Sequence, residues 1–173
     1  MGSGPVGRRT NVVLVLADDL GFSDLGCYGG EIDTPHLDRL GRSGVRMSSF
    51  YNTARCSPSR ASLLTGRHPH ETGIGILTDD QRPWGYPGSL DVAVPTAAEI
   101  FRDAGYATCL SGKWHLSCDV STPNPTWPTR RGFDEFYGIL PRGGRLLPPA
   151  QPVHGRRAAA AACRRLLPDR RHR

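Results

Sequence analysis

Apolar positions along the chain alternate between short dense runs and glycine- or proline-punctuated stretches. Val12-Val13-Leu14-Val15-Leu16 is a continuous, mostly β-branched run, the pattern of a strand buried on both faces of a parallel sheet. Asp18 and Asp19 follow at its carboxyl end. Thr34-Pro35 opens a predicted helix with Leu37 and Leu40 on one face, and Gly41 and Gly44 bring it to an end. Val45 to Tyr51 alternates loosely as a second strand and leads to Cys56. From Ser57 to Thr65, Pro58 in the first turn, good helix formers after it and Gly66 at the stop predict a helix. Thr96 and Glu99 form a capping box that opens another helix, with Ile100, Phe101 and Ala104 as its apolar face and Gly105 at its close. Tyr106 to Leu110 reads as a third strand, ahead of Lys113-Trp114-His115. The order predicts an α/β fold, a mostly parallel sheet flanked by helices. Ligands bind beyond the carboxyl ends of strands in such sheets, and the three strand ends carry Asp18/Asp19, Cys56 and Lys113/His115.

Each of these groups has a chemical and a plain structural reading. Cys56 at a helix N-terminus would be acidified, with Arg60 one turn on facing the same side; alternatively it is a buried cysteine at a loop-to-helix junction beside a surface arginine. Two adjacent acids at a strand end are metal ligands, or a helix cap with a solvated neighbour. Lys113 and His115 point to one face if the segment is extended, or are a sheet-end lysine and a partly buried histidine. His36 reads as a helix-surface residue. The segment 67–88 has no sustained period and reads as a long loop, with His68 and His70 as exposed loop residues.

The run Cys56-Ser57-Pro58-Ser59-Arg60-Ala61-Ser62-Leu63-Leu64-Thr65-Gly66-Arg67 resembles the C-x-P-x-R signature of the type I sulfatases, the formylglycine-dependent, arylsulfatase-like family. Gly112-Lys113-Trp114-His115-Leu116 resembles its second signature, with Ser117 where glycine is common, and Arg131-Gly132-Phe133-Asp134-Glu135-Phe136-Tyr137-Gly138 is a further similar run. The resemblance covers about residues 11–141 and implies the N-terminal part of an alkaline-phosphatase-like fold. It implies that a formylglycine-generating enzyme converts Cys56 to formylglycine, and that Asp18, Asp19 and the residue at 56 ligate a divalent cation, usually calcium. It further implies that Cys56, Arg60, Lys113 and His115 are catalytic, with Lys113 and His115 also contacting the substrate. The implied reaction is hydrolysis of a sulfate ester in two displacements, the hydrated aldehyde attacking sulfur and then collapsing to release sulfate. Trp84 and Tyr86 are expected to line a pocket in the loop 67–88. Phosphonate and phosphodiester hydrolases of the same family remain an alternative. An unmodified-thiol phosphatase fits less well, because those loops place the arginine six positions after the cysteine and here it is four.

Composition changes the picture chiefly at the end of the chain. The 173 residues, 38% hydrophobic, suit one domain of ordinary size. The net charge of +6 belongs to residues 142–173, where nine arginines face one aspartate; the rest carries 13 basic and 15 acidic groups. This tail, with its alanine run, is expected to be disordered and low in complexity, either a frame-shifted text or a basic segment for nucleic acid. Residues 1–10 are expected to be a flexible N-terminus. Five cysteines without close pairing do not read as a secreted disulfide framework. The apolar run Val12–Ala17 is too short for a signal peptide core or a membrane span, so the expected location is cytoplasmic. The family's later metal ligands, second lysine and second histidine are not matched, so the chain is expected to be an incomplete, inactive fragment.

Overall fold

A computed structural model describes residues 9–141. The expected tail at 142–173 and most of the expected flexible N-terminus lie outside them. The chain divides into two compact units, Met1–Phe50 and Tyr51–Arg173.

In the unit Met1–Phe50, two 3-10 turns, Phe22–Asp24 and Gly26–Tyr28, precede helix α1 (Pro35–Ser43). Pro35 opens α1 as predicted, since its missing N–H would have no partner in a first turn. The Thr34 hydroxyl does not cap the helix. It donates to Asp38 Oδ1 at 2.8 Å and accepts from the Gly26 amide at 2.9 Å, while the same Asp38 oxygen takes the Cys27 amide at 2.8 Å. These polar ties, rather than an apolar face, hold α1 to the preceding turn, for Leu37 and Leu40 are exposed. The strands predicted at Val12–Leu16 and Val45–Tyr51 do not form. Val12–Leu16 side chains are 44–81% exposed. A doubly buried strand needs ladder partners on both sides and layers over both faces, and no described residue pairs with this run.

The unit Tyr51–Arg173 holds helices α2 (Cys56–Thr65) and α3 (Ala97–Asp103) and strands β1 (Cys109–Lys113) and β2 (Glu135–Ile139). Gly66 stops α2 in the left-handed conformation (φ 67°), its amide bonded to the Ser62 carbonyl at 2.8 Å. Thr96 and Glu99 form the expected reciprocal box at the start of α3. The apolar face expected on α3 is turned largely to solvent: Ile100 and Ala104 are exposed, and Ala98 is the buried residue. The third strand begins three residues later than predicted. β1 and β2 are parallel in the register Cys109↔Glu135 to Lys113↔Ile139, and the Trp114 and His115 amides prolong the ladder onto the Ile139 and Leu140 carbonyls. Trp114, Leu116, Phe133, Phe136 and Leu140 join Ala61, Ile74, Leu90 and Ala98 in one buried cluster, so the segment after β1 is anchored by core packing on both sides of His115. Among the described residues no helix is long and apolar enough to cross a membrane.

Gly138 lies opposite Gly112, and a β-carbon there would overlap the Gly112 backbone. Gly138→Ala should therefore push the strands apart and cost about 1–3 kcal/mol. At Gly66 the space is open, so Gly66→Ala should cost only about 1 kcal/mol for the left-handed backbone. Urea unfolding of the two variants should rank them in that order.

Candidate active site

Cys56 is the first residue of α2, behind an extended Arg55, and is a half-buried free thiol. The buried face of α2 is Ser57, Pro58, Arg60 and Ala61. Arg60 is therefore not the surface arginine of the plain reading: it is only 9% exposed, and its Nη1 donates to the Lys113 carbonyl at 2.6 Å. That bond joins the helix bearing Cys56 to the end of β1 across 53 positions of sequence. Lys113 is half-buried as the last residue of β1. His115 is 2% exposed with φ 55°, so the extended alternation that would align Lys113 and His115 stops at the strand end.

The three non-glycine residues with left-handed backbone among those described are Asp19, Ala54 and His115 (φ 55°, 51° and 55°). Each lies within or two residues from one of the three candidate segments. Such conformations cost on the order of 1–3 kcal/mol and persist where the surroundings over-determine them, typically at working sites. Alanine has no side-chain hydrogen bond to offset the cost, which makes Ala54 the most telling of the three.

Asp18 and Asp19 are exposed, in the unit Met1–Phe50. Their carboxylates are hard oxygen donors of the kind calcium takes, but two carboxylates supply at most about four of the six to eight oxygens it wants. No group of three or more His, Cys, Asp or Glu among the described residues is arranged to hold a metal ion. The described residues thus have the right donor type for part of a shell and do not complete one.

Several supporting residues carry no motif of their own. Ser117, where glycine was expected, is buried; its hydroxyl donates to the Thr126 carbonyl at 2.9 Å and accepts from Trp114 Nε1 (3.2 Å) and Thr126 Oγ1 (2.8 Å). The buried hydroxyl therefore both donates and accepts, and serine is accommodated here without an unsatisfied polar atom. Arg131 is buried and clamps the Asp91 and Val94 carbonyls and the Glu99 carboxylate. Trp84 is 96% exposed rather than set in a pocket wall, and Tyr86 packs edge-on against His70. A groove of about 440 Å³ opens elsewhere, lined by Val92, Glu99, Pro125 and Arg131 among others, and it includes no candidate catalytic residue.

In the loop, Arg82 donates from Nε (2.9 Å) and its backbone amide (3.0 Å) to Asp80 Oδ1 and pairs through Nη2 with Oδ2. The side-chain hydrogen bonds, then the backbone one, hold the Asp80 carboxyl down at about 2 against an ordinary 3.8. A depressed acid favours the folded loop above its unfolded value, and that preference disappears as pH falls through about 2. Arg82→Ala should return Asp80 toward 3.8, read by carboxyl NMR titration, with little change in stability because the pair is exposed.

Buried Arg60 thus ties the helix that begins at Cys56 to the strand end at Lys113, two residues before His115, on a parallel α/β frame. The family model for Sulfatase matches residues 10–144, and the chain belongs to the sulfatase family. It is 44% identical over 147 residues to steryl-sulfatase of Mus musculus, covering 79% of this chain and 23% of that protein. To arylsulfatase A of Homo sapiens it is 44% identical over 138 residues, covering 78% and 26%. The crystal structure of the PsFucS1 sulfatase from Pseudoalteromonas sp. superposes with a TM-score of 0.64 at 38% identity, covering 78% of this chain and 26% of that one. The fold is accordingly the α/β, alkaline-phosphatase-like fold of sulfatases, in part. The chain spans about a quarter of the length of the curated relatives it matches.

Proposed function

We propose that this chain carries the nucleophile-bearing part of a sulfuric ester hydrolase, with Cys56 converted to formylglycine by a formylglycine-generating enzyme. The observation that carries the reading is the Arg60–Lys113 hydrogen bond, which couples the segment to be modified to the segment that would grip the sulfate. Formylglycine, once formed, supplies an oxygen nucleophile in place of a thiol. The α2 N-terminus directs its free amides and its dipole at that position, favouring negative charge there. Arg60, fixed by its bond to the strand end, keeps a positive charge beside the nucleophile without reorganisation during reaction. Lys113 binds the sulfate oxygens. His115, held by core residues on either side, moves a proton at the nucleophile's oxygen. Asp18 and Asp19 would supply part of the oxygen shell of a divalent cation such as calcium, whose chemistry would be to stabilise developing negative charge. Because the described residues do not complete that shell, the 173 residues on their own should show negligible sulfatase turnover. The substrate is a sulfate ester, and the place of action is the cytoplasm.

The test is co-expression of the chain with a formylglycine-generating enzyme and mass spectrometry of the peptide bearing Cys56. An aldehyde at that position is the expected product. Intact thiol throughout would overturn the reading. Parallel assays with aryl sulfate and phosphate diesters, on a sulfatase-length polypeptide carrying this segment, should show preference for the sulfate.

A further inference from the structure

His68 and His70 are exposed loop residues in the sequence, yet the fold brings their rings together. His68 precedes the 3-10 turn Pro69–Thr72, which is fixed at both ends. The His68 amide donates to Glu71 Oε2 at 3.1 Å, and the buried Thr72 hydroxyl donates to the Pro69 carbonyl at 2.7 Å. Within this frame the two imidazoles stack, with centroids 4.7 Å apart and planes at 20°, and Tyr86 meets His70 edge-on at 5.4 Å. Nδ1 of one ring lies 2.9 Å from Nδ1 of the other. One nitrogen donates and the other accepts, so two imidazole nitrogens lie at hydrogen-bond distance with one hydrogen between them.

From this geometry we infer that His68 and His70 form a two-nitrogen chelate for a transition-metal dication with tetragonal preference, of the Ni²⁺ or Cu²⁺ class. Imidazole nitrogens bind such ions at about 2.0–2.1 Å, so two ligands in cis positions sit about 2.9 Å apart, whereas tetrahedral zinc would need about 3.3 Å. The observed separation fits the first case. Binding moves the Nδ1 hydrogen of the donor ring to its Nε2, leaving both Nδ1 lone pairs for the metal; no net proton is lost and no electron is transferred. Water fills the remaining positions. Glu71 is committed to the His68 amide and lies 3.9 Å from Arg67, so it lends charge without being a ligand. The donors are nitrogen, which separates this site from the oxygen chemistry of Asp18 and Asp19: calcium takes oxygen ligands and should not compete.

The probe is NiCl₂, titrated calorimetrically into the full chain in excess CaCl₂, with His68→Ala, His70→Ala and His36→Ala variants. His36 pairs with Arg39 on α1 and serves as the control. Wild type and His36→Ala should bind one Ni²⁺ with equal affinity, and each of the other two variants should bind at least about tenfold more weakly. Histidine side-chain NMR should show the Nδ1 signals of His68 and His70 broadened together at substoichiometric Ni²⁺. Absence of Ni²⁺ binding by the wild type, or binding unchanged when either His68 or His70 is removed, would overturn the chelate. All the substituted side chains are exposed, so the variants should fold as the wild type does, which circular dichroism checks.

Discussion

Cys56→Ala should abolish sulfate-ester hydrolysis in a sulfatase-length polypeptide that carries this segment, by a factor on the order of 10⁶, the scale seen when a covalent nucleophile is deleted. The same substitution in the 173-residue chain should remove all reaction with an aldehyde-directed hydrazide after co-expression with the modifying enzyme. Stability should hardly change, because the position is half-buried, makes no cap and is the first residue of a helix that alanine suits. The contrast with Arg60→Ala isolates the chemistry. Arg60 is buried, and its loss would remove its hydrogen bond to the Lys113 carbonyl, so that variant should lower stability as well as activity. If Cys56→Ala retained hydrolysis above a few per cent, the nucleophile would have to be sought elsewhere in the chain.

The candidate site was legible because its residues come in contiguous motifs with local structural logic. Pro58 and Gly66 bracket α2, and they place Cys56 at its first position whatever the rest of the fold does. The Thr96–Glu99 box is equally local. Failure came where burial depends on distant partners. The branched run Val12–Leu16 specifies a doubly covered strand, but pattern alone cannot supply the neighbours that would cover it, and here it stays exposed. The exposed leucines of α1 and the solvent-facing Ile100 fail for the same reason. Register is another non-local property: β1 starts at Cys109 rather than Tyr106 because Thr108 is taken by the Asp134 carboxylate and the Gly132 carbonyl, bonds no local window reveals. The His68–His70 contact was within reach of the sequence, since two histidines flanking a proline are held to a short turn. Arg131 was not, because nothing in Arg130-Arg131 says which of the two is buried.

Arg131→Ala should be the most destabilising single substitution in the unit Tyr51–Arg173. The side chain is 2% exposed and its ion pair with Glu99 spans 3.2 Å. Its Nη1 donates to the Asp91 carbonyl at 2.9 Å, and Nη2 serves both the Val94 carbonyl and Glu99 Oε2. The Thr96 hydroxyl donates in turn to the Arg131 carbonyl at 2.9 Å, so one residue ties the start of α3 to the segment leading into β2. Truncation leaves two carbonyls and a carboxylate without their cation, a loss of about 3–5 kcal/mol for a buried pair broken on one side. For a chain of this size that is a fall of roughly 10 °C or more in Tm, a large part of the total stability of an ordinary domain. Glu99→Gln should cost less, because the amide oxygen still accepts from the Thr96 amide that Glu99 now caps. The double variant Arg131→Ala/Glu99→Gln should recover part of the loss, since no carboxylate is then left without its cation. Denaturant melts of the four proteins give the coupling between positions 99 and 131; additive effects would show that Arg131 acts through the carbonyls alone, and a positive coupling energy would show that the ion pair itself sets the position of α3 against β2.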